Sequence, residues 1–426
     1  MAVETITLGC RLNFAESEAM RALAGDADLT IVNSCAVTGE AVRQTRQAIR
    51  RAWRADPTRA IVVTGCAAQL DPQAFAAMPE VARVVGNAEK YRAQSFAFSR
   101  HPGLDPGSAF SLAQTGRQAP AQGRGDERVR VSDVMTAPTP PVAAGYLSRV
   151  RSFVAVQTGC DHRCTFCTIW AARGPSRSLP FEAVRDAVVR EIEAGAKEIV
   201  LTGVDITSYD GGLGLLCQRL LTALPALKRL RLSSLDSIEI DGALMELVGG
   251  EPRLLPHFHL SLQAGDDLIL KRMKRRHSRA EAVRMVKRLK ALRHDVTIGA
   301  DLIAGFPTES EAAAANTLAL LDACDVIAAH VFPYSARPGT PAARMPQVEH
   351  GVIKARAARL REEAAARRAR WLESQVGSRQ TVLIENGEKG HSDGFAPVRI
   401  AGSARGDLGP ALITGRDGDQ LIGTFE

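Results

Sequence analysis

The chain has 426 residues, 45% hydrophobic and 24% charged, an ordinary globular balance with room for two or three domains. It holds no apolar run of transmembrane length, and Met1 to Leu8 lack the basic stretch that opens a secretion signal, so no membrane role and a cytoplasmic location are expected. The formal net charge of +7 permits a nucleic-acid partner without requiring one.

Residues 1–94 read as a small α/β domain. Strands are predicted at Thr5–Leu8, Leu29–Asn33, Ala60–Thr64 and Ala82–Val85, with helices over 15–24, 39–55 and 72–78. The first three strands run into Gly9-Cys10, Ser34-Cys35 and Gly65-Cys66. In a parallel sheet these loops share one edge, so three cysteines distant in sequence converge in space. Singly, each reads as a buried structural thiol; together they read as a three-thiolate metal site.

Residues 95–146 are rich in Pro, Gly and polar residues and are expected to be a disordered insertion or linker. From 147 to 371 strand and helix patterns alternate. Strands are expected at Phe153–Gln157, Glu198–Thr202, Arg229–Leu232, His257–Leu262, Thr297–Ile303 and Ile327–Phe332, which suits a partial (β/α)6 barrel. The first strand is followed by Cys160, Cys164 and Cys167, with three and then two residues between them. In an α/β barrel that strand end is where active sites form. Structural zinc takes four ligands, whereas an iron–sulfur cube held by three thiolates keeps one iron open to a small molecule. A zinc loop completed by His162 or a distant residue, or a chance cluster of buried thiols, is the alternative. Cys217 and Cys324 lie in helical apolar patterns and read as core residues.

Other strand ends carry polar groups suited to a ligand: Asp205, Ser234, Gln263 and Asp301. The basic run Lys271–His277 is either a solvated helix end or a phosphate site, and Arg173, Arg177, Arg275 and Arg276 are the candidates for RNA contact. A basic helix over 354–375 leads to a tail, residues 372–426, whose short strands and Gly/Asp turns suggest a small β-barrel. Phe395 and Phe425 are the aromatics that stand out there, which favours phosphate contact over base stacking.

The spacing Cys160-x3-Cys164-x2-Cys167 after a strand, with Phe166 before the last cysteine, resembles the radical S-adenosylmethionine (SAM) superfamily. That resemblance implies a [4Fe–4S] cluster whose open iron chelates SAM and cleaves it to a 5′-deoxyadenosyl radical, with Phe166 near the adenine. The tail resembles a TRAM domain, an RNA-binding module. The order of the three parts resembles the radical SAM methylthiotransferases. By that resemblance Cys10, Cys35 and Cys66 hold a second, auxiliary [4Fe–4S] cluster that carries the sulfur. The strings Leu8-Gly9-Cys10-Arg11-Leu12-Asn13, Asn33-Ser34-Cys35-Ala36-Val37-Thr38 and Thr64-Gly65-Cys66-Ala67-Ala68-Gln69 resemble the class acting on N6-threonylcarbamoyladenosine beside the tRNA anticodon. Ser34, where Thr is usual, and Pro175, in a stretch usually Gly-Arg-Ser-Arg, depart from the pattern without removing a ligand. The implied partners are tRNA, an electron-donor protein and a sulfur source, for a monomeric enzyme. The alternatives are isopentenyladenosine in tRNA, an aspartate of a ribosomal protein, or a non-catalytic metal-containing RNA-binding protein.

Overall fold

Parallel β-ladders frame both parts of the chain. The computed structural model describes residues 3–98, 128–145 and 150–426. The chain divides into two units, residues 1–143 with 168–175, and residues 144–167 with 176–426.

In the first unit β1 (Glu4–Thr7), β2 (Leu29–Ser34), β3 (Ala60–Gly65), β4 (Arg83–Val85) and β5 (Val129–Arg130) form a five-stranded sheet in that order, all parallel. Every residue of β2 is buried, as a central parallel strand covered on both faces requires. Helices α1 (Arg11–Ala24), α2 (Gly39–Ala55), α3 (Cys66–Leu70), α4 (Pro72–Ala76) and α5 (Ile169–Arg173) complete it. Thr38 caps α2 by accepting from the Ala41 amide at 3.1 Å. The core gathers Val32, Ile49, Ile61, Val63, Phe75 and Val84.

Two departures from expectation occur here. Val129 and Arg130, in the stretch read as a disordered linker, form β5. The edge of β4 offers unpaired backbone groups that β5 satisfies, and Arg128 donates to the carbonyls of Met78 (3.0 Å) and Val81 (2.7 Å) beside it. Residues 99–127 of the expected insertion lie outside the described residues. Residues 168–175, which follow Cys167 directly, belong with the N-terminal unit, where Ile169 and Ala172 join its core.

In the second unit β6 (Ala144–Gly145) pairs antiparallel with β7 (Arg151–Ala155). A short hairpin-like pair, β8 (Gln157–Thr158) and β9 (Arg177–Ser178), follows. Strands β10 (Glu198–Thr202) and β11 (Leu230–Leu232) continue the β7 sheet, and β12 (His257–Gln263), β13 (Thr297–Ala304) and β14 (Val326–Pro333) form a second parallel sheet. Parallel bridges Leu230–Leu254 and Leu235–Leu260 join the two into one open, six-stranded barrel wall. The connecting helices are α6 (Phe181–Glu193), α7 (Leu213–Ala223), α8 (Gly242–Gly250), α9 (Asp267–Arg272), α10 (Arg279–Leu292) and α11 (Glu311–Ala323). The basic helix α12 (His350–Ser374) buries Ile353, Ala357, Leu360 and Ala364, one stripe at helical spacing. Much of its charge is paired within the fold, as in Arg356–Glu309 at 3.0 Å and Arg367–Asp325 at 2.9 Å.

The tail closes as a barrel of β15 (Arg379–Asn386), β16 (Lys389–Ser392), β17 (Pro397–Ile400), β18 (Leu408–Asp417) and β19 (Gln420–Phe425), around Val382, Ile384, Val398, Ile413 and Leu421. Its turn 393–395 seals the lower end of the open barrel. Phe395 stacks on His257 with ring centroids 5.1 Å apart, and the Arg231 and Arg151 guanidiniums lie 4.8 and 5.2 Å from its centroid. Beneath it Glu198 accepts from Arg231 Nε at 2.8 Å and Arg229 Nη2 at 3.0 Å, all three side chains being buried. Arg229 also pairs with Asp393. Phe395 is therefore committed to the barrel floor.

Candidate cluster-binding sites

The register of the first sheet, Thr7 beside Asn33 and Ser34 beside Gly65, brings Cys10, Cys35 and Cys66 to one edge. Two glycines make this possible. A Cβ on Gly9 would stand 2.8 Å from Cys35 Sγ, and one on Gly65, at φ +91°, would stand 2.4 Å from the Ser34 carbonyl. Asn13 donates to the carbonyls of Leu8 (2.7 Å) and Ser34 (3.2 Å), fixing the first two loops against each other. Ser34 Oγ donates to the Thr64 carbonyl at 2.5 Å and accepts from the Ala68 amide, fixing the second to the third. Burial, with Cys66 and Cys10 adding to it, pushes the Cys35 thiol up to about 12.

Behind the sulfurs lies a buried charged network. Arg173 directs Nε to Cys66 Sγ at 3.2 Å, Nη1 to Glu16 at 2.7 Å and Nη2 to Asn13 at 2.7 Å. Glu16 also receives Lys90 Nζ at 2.7 Å and the Tyr91 hydroxyl at 2.9 Å. Burial alone would raise the Glu16 carboxyl, but Arg173 and then Lys90 hold it down at about 2. Arg173 was expected to meet RNA phosphate; the structure corrects this, since the side chain is buried and spent on Glu16, Asn13 and Cys66. Glu16, Lys90 and Tyr91 carry no motif, and only the fold shows their convergence. Three soft sulfur donors at one edge, with a buried cation beside them, suit a thiolate-held cluster.

The loop 159–176 leaves β8 and returns in β9, with its cysteine-bearing part, residues 159–167, in the second unit. Gln157 is its organiser, and no sequence signal singles it out. Its Oε1 accepts from the Val204 and Asp205 amides at 3.0 and 2.9 Å, and its Nε2 donates to the Gly159 carbonyl at 2.8 Å. Further along, the Thr165 amide donates to the Met273 carbonyl at 3.0 Å, and the Thr165 carbonyl accepts from the Ala342 amide at 2.9 Å. Phe166 meets Phe306 edge-on with centroids 6.4 Å apart and clusters with Ile303, Phe332 and Tyr334. Burial and then Asp205 push the Cys160 thiol up to about 12, with Cys167 and Cys164 contributing.

Asp205 receives Ser208 Oγ at 2.6 Å and His162 Nε2 at 2.9 Å, and lies 3.9 Å from Cys160 Sγ. Hydrogen bonds to Asp205 and Glu239 raise the His162 imidazole to about 10. Arg275, also expected at RNA, is buried instead: it donates to Asp236 at 2.8 Å and the Ser261 carbonyl at 2.9 Å and reaches Cys164 Sγ at 3.7 Å. Arg276 is exposed and pairs with Glu239, and Arg177 is half-buried in β9. Ser234 is exposed, and Gln263 sits at a bulge of β12 with φ +65°. Asp301 is held by His259 and His330. Both three-cysteine loops thus fit the [4Fe–4S] group by donor chemistry: sulfur ligands in threes on rigid strand ends.

The radical SAM superfamily matches residues 154–321, and Uncharacterized protein family UPF0004 matches residues 2–86. "Threonylcarbamoyladenosine tRNA methylthiotransferase MtaB" of Rickettsia prowazekii (strain Madrid E) is 40% identical over 93% of this chain and 91% of its own length. "tRNA-2-methylthio-N(6)-dimethylallyladenosine synthase" of Erythrobacter litoralis (strain HTCC2594) is 32% identical over 89% of this chain and 85% of its own length. Among solved structures, the radical SAM methyltransferase TsrM from Kitasatospora setae superposes with a TM-score of 0.50 at 16% identity, covering 77% of this chain and 68% of that one, a likeness of fold. The fold and loop define a radical SAM enzyme. The chain belongs to the radical SAM tRNA methylthiotransferase family. Among the described residues no helix is long and apolar enough to cross a membrane.

Proposed function

We propose that the enzyme methylthiolates carbon 2 of N6-threonylcarbamoyladenosine next to the tRNA anticodon, using two [4Fe–4S] clusters and two SAM molecules in the cytoplasm. The observation that carries the two-cluster reading is the second trio, Cys10, Cys35 and Cys66, brought to one sheet edge with Arg173 on Cys66. The substrate reading is supported by the 40% identical relative and its printed name. Cys160, Cys164 and Cys167 would hold the SAM-binding cluster and the other trio the sulfur-carrying one. When bound, these groups supply a methyl group, a sulfur atom and the radical that removes hydrogen from carbon 2.

The chain's own side chains position and enclose. Gln157 ties the cysteine loop to the Val204-Asp205 turn, so cofactor groups bound there meet a rigid wall. Phe166, braced by Phe306, offers a flat apolar face to an adenine. Arg276, exposed beside the loop and paired with Glu239, would be the side chain to meet RNA phosphate. A single-stranded anticodon loop can present a splayed base at modest cost. An electron-donor protein and a sulfur source complete the reaction.

Iron and acid-labile sulfide on anaerobically reconstituted protein test the cluster count. About eight irons should fall to about four when Cys160, Cys164 and Cys167 all become alanine. About four falling to none would leave one cluster. Cys35→Ala should keep SAM cleavage and lose thiolation; methylthio product from that variant would overturn the auxiliary site. Methylthio product on isopentenyladenosine-bearing tRNA alone would move the enzyme to the other substrate class.

A further inference from the structure

Between the floor and the cysteine loop of the second unit lies a polar layer with no role so far. The register pairs His259 with Gly299 and Asp301 with His330, so His259, Asp301 and His330 share one face of adjacent strands β12, β13 and β14. Asp301 Oδ1 meets His259 Nε2 at 2.9 Å and His330 Nδ1 at 3.2 Å, and the two imidazole rings lie 4.6 Å apart. One step down on that face, His257 and Thr297 meet Phe395 and the Gly394 carbonyl of the floor. One step up, Ile303 and Phe332 cluster with Phe166 of the cysteine loop.

Barrel interiors are ordinarily filled by layers of branched apolar residues. A carboxylate here costs desolvation, and hydrophobic residues of equal volume would serve stability as well or better. The layer also holds two imidazoles for one carboxylate. The layer is open on one side: the His330 side chain is 63% exposed while that of His259 is 7% exposed. No partner for His330 Nε2 is recorded among the described residues, whereas its Nδ1 is fixed by Asp301. Asp301 takes two imidazole contacts here.

We propose that His330, oriented by Asp301 and His259, grips the carboxylate of the threonylcarbamoyl substituent and so selects this adenosine; the inference rests on the substrate reading above. Two residues along a strand span about 6.6 Å, so a nucleobase lying beneath the Phe166 layer brings a substituent on its N6 to the depth of His330. His330 acts as a specificity residue touching substrate, and Asp301 as a positioning residue acting through it.

The test compares wild type, His330→Ala and His330→Gln on tRNA bearing threonylcarbamoyladenosine and on the same tRNA with the threonine carboxylate as its methyl ester. His330→Ala should lose about 10- to 100-fold in kcat/KM on the acid substrate, mostly through KM, the size expected for one hydrogen bond to a charged group. His330→Gln, which still donates, should recover part of it. On the ester, wild type and His330→Ala should match. Iron content and SAM cleavage without tRNA should be unchanged, since the His330 side chain is exposed and its Nδ1 is held by Asp301. Wild-type kcat/KM in His330→Ala on the acid substrate, or an equal loss on acid and ester, overturns the proposal. Wild type that ignores both substrates and modifies isopentenyladenosine instead overturns the substrate reading itself.

Discussion

Glu198→Gln is the sharpest probe of the floor. In the native fold the Glu198 carboxylate faces Arg231, Arg229 and, at 3.9 Å, Arg151, and its side chain is only 2% exposed. Burial alone would raise its pKa; Arg231, then Arg151 and Arg229, bring it from 4.5 to about 2. At roughly 1.4 kcal/mol per pH unit that difference is worth about 3 kcal/mol of stability. Independently, removing one partner of a buried ion pair costs about 3–5 kcal/mol, because it leaves the guanidiniums uncompensated. The two routes agree. The folded value is depressed, so the stabilisation is fully present above the unfolded value of 4.5 and is lost as pH falls toward about 2. Glu198→Gln should therefore lower stability by about 3 kcal/mol at neutral pH and flatten the acid limb between those two values. Urea denaturation at a series of pH values, with limited proteolysis near residue 375 as a local readout, measures both. A loss below about 1 kcal/mol at pH 7, or an acid limb as steep as in wild type, would refute the reasoning.

Gly65→Ala should prevent cluster assembly in the first unit, because its Cβ would press on the Ser34 carbonyl and amide at a positive φ; iron should drop by about half while the SAM cluster's absorbance persists. Arg173→Leu should destabilise the N-terminal unit by about 3 kcal/mol by leaving buried Glu16 only Lys90 and the Tyr91 hydroxyl, and iodoacetamide labelling of Cys66 in apoprotein should change with the loss of its 3.2 Å contact. Phe395→Ala should loosen the join of the tail to the open barrel, read as faster cleavage near residue 375, while leaving iron content intact.

The sequence exposes what depends on period and spacing. All six barrel strands fall within a few residues of their expected places, because β-branched runs between turn signals are local patterns. The Cys160, Cys164 and Cys167 trio follows from spacing, and the Cys10, Cys35 and Cys66 trio from three cysteines each just after a predicted strand. What it hides is long-range. Arg173 and Arg275 look like any exposed arginine until the fold buries them against carboxylates 157 and 39 positions away. Their charge suggested RNA, yet buried carboxylates claimed them first. Gln157 resembles one more strand residue, and its grip on two amides 47 and 48 positions on depends on β7 lying beside β10. Strand β5 was missed because two residues carry too short a pattern to outweigh the Pro/Gly-rich stretch before them.

The Asp393-Gly394-Phe395 turn bears on how far this chain can be treated as a string of interchangeable modules. Trimming the chain after α12 would strip the aromatic lid from Arg231 and Arg151 and the carboxylate from Arg229, leaving a cluster of cations facing water. Grafting a tail from a distant relative would succeed only if the incoming piece brought an aromatic side chain and an acid at the same turn. The tail and the catalytic barrel are therefore constrained to change together, and a chimera that replaced that turn would lose its scaffold.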